Sequence, residues 1–184
     1  MGEEILKLLP EIDWISDGEL KDKVLKVWEE ALKRGKWSIE KTKEIPFTLL
    51  IKDCPVSLID HIRAVTRMAE AVYKEFKEIY GDLVPLNHDY LIAGAILHDI
   101  GKFVEYEVDE GGKFAQTRLG KMLRHPFTGA MLADEFGLPP EVSHIIATHS
   151  HEGDRVKRTP ESEIVHRVDF INFEVLKGIL GEGK

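Results

Sequence analysis

After Ser16-Asp17-Gly18-Glu19, apolar Leu20, Val24, Val27, Trp28 and Ala31 recur at steps of four and three. The serine-to-glutamate spacing is that of a capping box, so the pattern predicts a helix over about 17–34, as a lid or a support. Residues 35–56 contain Gly35, Pro46 and Pro55 and hold no sustained period, which predicts a connection. Ser57-Leu58-Ile59-Asp60 opens a second, longer helix in which His61, Val65, Met68, Val72 and Phe76 make one stripe. Asn87 is placed to cap a third helix, with Leu91, Ala95 and His98 along one side and an end at Gly101, so His98 and Asp99 fall in its last turn. Phe103–Asp109 alternates apolar and acidic residues, Glu110-Gly111-Gly112 supplies a turn and Lys113–Thr117 returns, which predicts the one β-hairpin. Helices over about 126–137, 140–149 and 161–180 complete an all-α fold. We expect a single domain over 1–184, with a helical extension and connection in 1–49 and the core in 50–184.

Composition narrows the class. The chain has 184 residues, 43% hydrophobic and 32% charged, as expected of a soluble globular protein. A formal net charge of −8 speaks against a broad nucleic-acid surface, which needs basic residues gathered on one face. The longest apolar runs, such as Leu91–Leu97, fall far short of the roughly 20 residues of a membrane helix. Met1-Gly2-Glu3-Glu4 has neither a basic nor an apolar leader pattern, and the single cysteine, Cys54, allows no intrachain disulfide. A cytoplasmic location is the expectation, and Cys54 before Pro55 reads as structural. Glutamine occurs once and asparagine twice amid abundant Glu and Lys, a composition like that of a hyperthermophile.

Several of the eight histidines stand where the periodicity points inward: His61, His98 beside Asp99, His125 and His149, with Asp169 near the end. One such histidine alone is ordinarily a hydrogen-bonded core residue. Together, buried imidazoles and carboxylates need a shared partner, and a divalent cation accepts both. His88 and His144 read as surface or packing residues. His166, three residues before Asp169 on the same helix face, reads equally as a support for a ligand or as packing. Lys102, Lys121, Arg124, Arg155, Lys157 and Arg158 lie within a few residues of these groups; Lys102 is the strongest candidate to meet an anion, and the others read as solvated charges.

His61, Leu97-His98-Asp99-Ile100-Gly101-Lys102 and Val168-Asp169-Phe170 resemble the H…HD…D signature of the HD-domain superfamily of metal-dependent phosphohydrolases, over roughly residues 50–180. His125-Pro126-Phe127-Thr128-Gly129-Ala130 and Ile146-Ala147-Thr148-His149-Ser150 resemble the two further histidine motifs of its two-metal branch. The resemblance implies an HD-type helical fold holding one or two divalent transition-metal ions (Fe, Mn, Co, Ni or Zn). It implies one ion on His61, His98, Asp99 and Asp169, and another on Asp99, His125 and His149, with Asp99 bridging. His149-Ser150-His151 departs from the subgroup with consecutive histidines and leaves His151, like His166, beside the ligand set; the GYP-type motif of the cyclic-dinucleotide subgroup is absent. The activity implied is hydrolysis of a phosphomonoester or phosphodiester of a small, nucleotide-like molecule. Asp99 and Lys102 would be the catalytic groups, and Lys102 and Arg124 would bind the substrate. The same ligand set also occurs in diiron oxygenases of the superfamily and fits a metal-holding regulatory module, which the LHDIGK segment does not separate.

Overall fold

In chain order the elements are α1 (Gly2–Leu8), α2 (Gly18–Gly35), α3 (Ile39–Thr42), α4 (Leu58–Tyr80), α5 (His88–Leu97), α6 (Lys102–Glu105), β1 (Tyr106–Val108), β2 (Phe114–Gln116), α7 (Arg118–Met122), α8 (His125–Glu135), α9 (Pro140–Thr148) and α10 (Pro160–Leu180). This computed structural model describes residues 1–181, so the last three residues of the expected 50–184 core lie outside it. The architecture is all-α with one two-stranded hairpin, in the register Tyr106 to Gln116.

Helix α5 is the axis of the fold. Leu91 through Leu97 are all buried, where the sequence suggested a one-sided stripe, because α2, α4, α9 and α10 enclose the helix on every side. Gly94 permits the approach of α9: a Cβ there would stand 2.6 Å from the Ile145 side chain. Helix α2 is a support and not a lid, burying Leu20, Val24, Val27, Trp28, Ala31 and Leu32 in the main core. Its cap is one residue later than the capping box suggested. Asp17 accepts from the Glu19 and Leu20 amides, while the Ser16 hydroxyl is drawn away to Asp89. Ser57 and Asn87 cap α4 and α5 as expected. The α4 stripe is buried only in its first half; α4 projects past its neighbours and leaves Phe76 36% exposed.

Two differences from the sequence reading bear on the site. His98 and Asp99 lie just beyond α5, in a tight turn that runs into α6. Phe103–Glu105 is helical, and Lys102, Phe103 and Glu105 are all buried, which no alternating strand could achieve. Phe103 meets Trp28 edge-on at 5.1 Å between ring centroids, and its carbonyl accepts from Trp37 Nε1. Gly101 in this turn keeps ordinary right-handed dihedrals (φ −64°, ψ −19°), so its glycine is required for clearance and not for a left-handed cap. A Cβ there would stand 2.2 Å from the His125 carbonyl oxygen and 2.9 Å from the Gly129 nitrogen. Helix α8 thereby packs directly against the turn that carries His98 and Asp99.

Gly101→Ala should therefore lower stability in urea unfolding by about 1–3 kcal/mol or more, because the obstruction is backbone. Gly178→Ala, at an exposed α10 position whose Cβ would meet nothing within 4 Å, should instead raise stability by about 0.5–1 kcal/mol. Equal effects at the two glycines would contradict the clearance argument.

Candidate metal centre

Four histidines and two aspartates from five segments converge at one end of α5. His61 comes from the first turn of α4, His98 and Asp99 from the α5–α6 turn, His125 from the start of α8, His149 from the end of α9 and Asp169 from mid-α10. All but Asp169 are buried, and Asp169 is 13% exposed at its side chain. Asp99 divides its oxygens between two groups. Oδ2 lies 3.3 Å from His61 Nε2 and 3.5 Å from His98 Nε2; Oδ1 lies 3.2 Å from His125 Nε2 and 3.7 Å from His149 Nε2. Asp169 Oδ1 completes the first group, 3.1 Å from His61 Nε2.

The four rings share one orientation. Each Nδ1 faces only an oxygen: Asn172 Oδ1 for His61 (2.8 Å), Ala95 O for His98 (2.7 Å), Glu105 Oε2 for His125 (2.9 Å) and Ile146 O for His149 (2.7 Å). A neutral imidazole in any of these positions carries its proton on Nδ1 and turns its Nε2 lone pair inward. His61 and His98 bring two such nitrogens within 3.2 Å, an arrangement that needs a cation or a proton between them.

The electrostatics make the same demand. Burial disfavours charge on His61, but Asp169 and Asp99 outweigh it and hold its pKa at about 9, whereas burial drives His98 down to about 4. Burial likewise lowers His125. Burial also opposes ionisation of the aspartates, yet the Lys102 ammonium and the facing imidazoles hold Asp99 well below the usual carboxylate range, and His61 brings Asp169 to about 2. Two carboxylates therefore persist as anions among inward-facing imidazole nitrogens.

This donor set fits divalent ions. Ligand atoms about 2.1 Å from an ion stand about 3.0 Å apart at octahedral angles and about 3.4 Å apart at tetrahedral ones. The nitrogen-to-carboxylate separations, from 3.1 to 3.9 Å, run from just above the octahedral value through the tetrahedral one. His61, His98 and Asp99 form one cluster able to hold an ion, and Asp99, His125 and His149 form another.

The remaining expected residues fall as follows. Lys102 is buried and lines the cleft, donating to Asp99 Oδ2 and to the Phe47 carbonyl, both at 2.7 Å; two of its three N–H donors are thus engaged within the protein. Arg124, half-exposed, lies 3.3 Å from Glu105 and 3.8 Å from Glu152. His166 donates to the His149 carbonyl at 2.6 Å, supporting the end of α9. His151 lies outside the cluster, exposed and paired with Asp154. Arg158 braces the same region by donating to Thr148 O and Ser150 O. His88 bonds Glu70, and His144 accepts from the Thr159 amide.

Sequence reasoning missed three contributors. Glu105 and Asn172 orient ligand rings, and Asn172 could have been found as the residue three after Asp169 on one helix face. Phe47 stacks on the His61 ring with centroids 4.7 Å apart, and nothing in the irregular segment around it pointed there.

The cluster forms the floor of a cleft of ≈ 610 Å³. Its lining combines apolar Leu49, Leu50, Phe170 and Phe173 with polar Gln116, Arg124, Glu152, Glu174 and Lys177.

A family profile described as "HD domain" matches residues 58–171, spanning α4 to mid-α10 and thus all six converging residues. The chain belongs to the HD-domain family. HD domains bind divalent metals, in agreement with the donor set. Among curated proteins, the chain is 37% identical over 115 residues to the dihydroneopterin 2′,3′-cyclic phosphate phosphodiesterase of Methanocaldococcus jannaschii, covering 61% of this chain and 44% of that one. It is 31% identical over 117 residues to the 3′-5′ exoribonuclease YhaM of Oceanobacillus iheyensis (55% and 34%). To the YhaM of Listeria welshimeri it is 28% identical over 128 residues (62% and 38%). The chain thus spans less than half the length of these relatives. No solved structure matches it significantly. Among the described residues, no helix is long and apolar enough to cross a membrane.

The Asp99–Lys102 pair generates a test. Removing one partner of a buried pair leaves an uncompensated charge, so Lys102→Met should destabilise the metal-free protein by about 3–5 kcal/mol. Added Mn²⁺ or Zn²⁺ should restore much of this, since a cation then compensates Asp99. Thermal melts of both proteins with and without metal measure it; a metal-independent loss would separate Lys102 from the cluster.

Proposed function

We propose that this HD domain is a metal-dependent phosphohydrolase that uses two divalent transition-metal ions to cleave a small phosphodiester, with a cyclic phosphate of a nucleotide-like molecule as the leading candidate. The observation that carries this reading is the division of Asp99, one oxygen toward His61 and His98, the other toward His125 and His149. Mixed imidazole and carboxylate donors suit Fe, Mn, Co, Ni or Zn. Bound there, such ions lower the pKa of water toward neutrality and act as Lewis acids on a phosphoryl oxygen.

The chain's own residues supply the rest. Asp99 and Lys102 fix the centre of the site, Lys102 neutralising the carboxylate and tying it to the Phe47 segment. Arg124 at the cleft wall retains free N–H donors for a phosphate oxygen. In the overall reaction, water adds across one P–O bond, the hydroxyl going to phosphorus and the proton to the departing alkoxide.

A small substrate is favoured over RNA by charge and size. Glu152 and Glu174 accompany Arg124 and Lys177 at the cleft, and the chain carries a formal charge of −8, whereas a polynucleotide calls for a basic track. A cleft of ≈ 610 Å³ lies within the usual range for a single small ligand. The Methanocaldococcus relative, named for a cyclic phosphate diester, supports the same class.

Mn²⁺- or Zn²⁺-loaded protein should hydrolyse 2′,3′-cyclic mononucleotides or bis(4-nitrophenyl) phosphate without oxygen, and Asp99→Ala should lose metal and turnover together. Arg124→Ala should act chiefly on KM, as a group that holds substrate and transition state alike. Activity confined to iron-loaded protein with obligatory oxygen uptake would overturn the hydrolase reading. Faster shortening of an RNA oligonucleotide than of any small diester would overturn the substrate class.

A further inference from the structure

We propose that Glu105 is the positioning residue that installs the second ion, by holding His125 as a ligand; this rests on the two-ion reading above. Glu105 is buried at the end of α6 and belongs to neither ligand cluster, yet four donors converge on its carboxylate. Oε2 accepts both from the His125 backbone amide at 2.7 Å and from His125 Nδ1 at 2.9 Å. Oε1 accepts from Gln116 Nε2 at 2.7 Å and faces Arg124 Nε at 3.3 Å. One oxygen thus grips both the main chain and the ring of the same histidine. This fixes the ring's rotation and directs its Nε2 toward Asp99 Oδ1.

The four ligand histidines are not equivalent in this respect. His98 and His149 donate to carbonyls three residues earlier in the chain, so their orientation follows from the turn they sit on. His61 donates to the neutral amide of Asn172. Only His125 among them turns its Nδ1 to a carboxylate, which strengthens the imidazole as a ligand as well as orienting it. His125 also sits in the first turn of α8, where no earlier turn of its own helix supplies a carbonyl. Glu105 takes that place.

The surroundings are shaped to keep Glu105 where it is. Its backbone carbonyl accepts from the Thr117 amide at 2.8 Å, and a Cβ on Gly120 would stand 2.6 Å from Glu105 Cγ. The hairpin and α7 are thereby clamped onto this one residue, and Gln116 of β2 secures its other oxygen. Hairpin and second ion position are linked through a single side chain.

The expected signature is selective. In Glu105→Gln, which keeps the shape and removes the charge, affinity for one of two ions should fall 10–100-fold while the other is unchanged. Glu105→Asp, which keeps the charge but withdraws it by one methylene, should do the same and decides the matter if the first variant does not fold. Gln116→Ala, which leaves Oε2 and His125 undisturbed, should keep both ions. The measurements are Mn²⁺ titration by calorimetry with elemental analysis, and electron paramagnetic resonance. Wild-type protein should show the exchange-coupled spectrum of a bridged Mn²⁺ pair, and both Glu105 variants an isolated ion at the same metal concentration. Circular dichroism and melting of the singly loaded proteins should be like wild type, which a merely structural loss would not allow. Two ions in wild type with unchanged affinities in the Glu105 variants would overturn this role and leave the two-ion reading standing. A single ion in fully loaded wild type would overturn both.

Discussion

A carboxylate buried with its charge intact must find compensation on every side, and Asp99 is such a carboxylate. Lys102 donates to one oxygen, and imidazole nitrogens stand near both. Much of the local architecture answers that requirement. The α5–α6 turn lifts Asp99 out of the helix, and Gly101 lets α8 come close enough for His125 to reach it. The Phe47 carbonyl holds Lys102 in place, and the Phe47 ring lies against His61. The desolvation of this charge is offset by a set of partners drawn from five segments distant in sequence.

The organisation of the rings follows from the same constraint. A ligand is useful only if its lone pair points inward, so each ring must give its proton to something outside the cluster. The chain solves this in three ways: a carbonyl one helical turn back, a side-chain amide from a facing helix, and a buried glutamate. The first is intrinsic to a histidine near a helix C-terminus, which explains why His98 and His149 both end their helices. The other two depend on tertiary packing, and their precision depends on how well α4 meets α10 and α6 meets α8.

That distinction also accounts for how much could be read from the chain beforehand. The helices were legible because caps such as Ser57 and Asn87 and the apolar repeats act locally, and the grouping of His61, His98, Asp99, His125, His149 and Asp169 was legible from inward-pointing positions and a few short segments taken in order. The α6 turn was read as strand because Phe103, Glu107 and their neighbours alternate by type, while the actual burial of Lys102, Phe103 and Glu105 reflects packing against Trp28 and the cluster. The inward-facing ammonium of Lys102 was equally invisible, since its partner at Phe47 lies 55 residues away. Asn172 is 111 residues from the His61 ring it orients; its helical spacing from Asp169 places it on the site's side of α10, but the ring it meets is fixed only by the packing of α4 on α10.

The cleft separates what holds the centre from what surrounds it. Leu50, 79% exposed at the lip, and Lys177 on the last turns of α10 touch none of the inward-facing nitrogens, and neither bonds the groups that orient them. Inherited variation at such positions can reshape what the cleft admits while the charge balance beneath stays intact. A scaffold divided in this way diversifies at its lip and stays constrained at its floor, so descendants of one ancestral domain can differ in what they bind before they differ in the chemistry they perform.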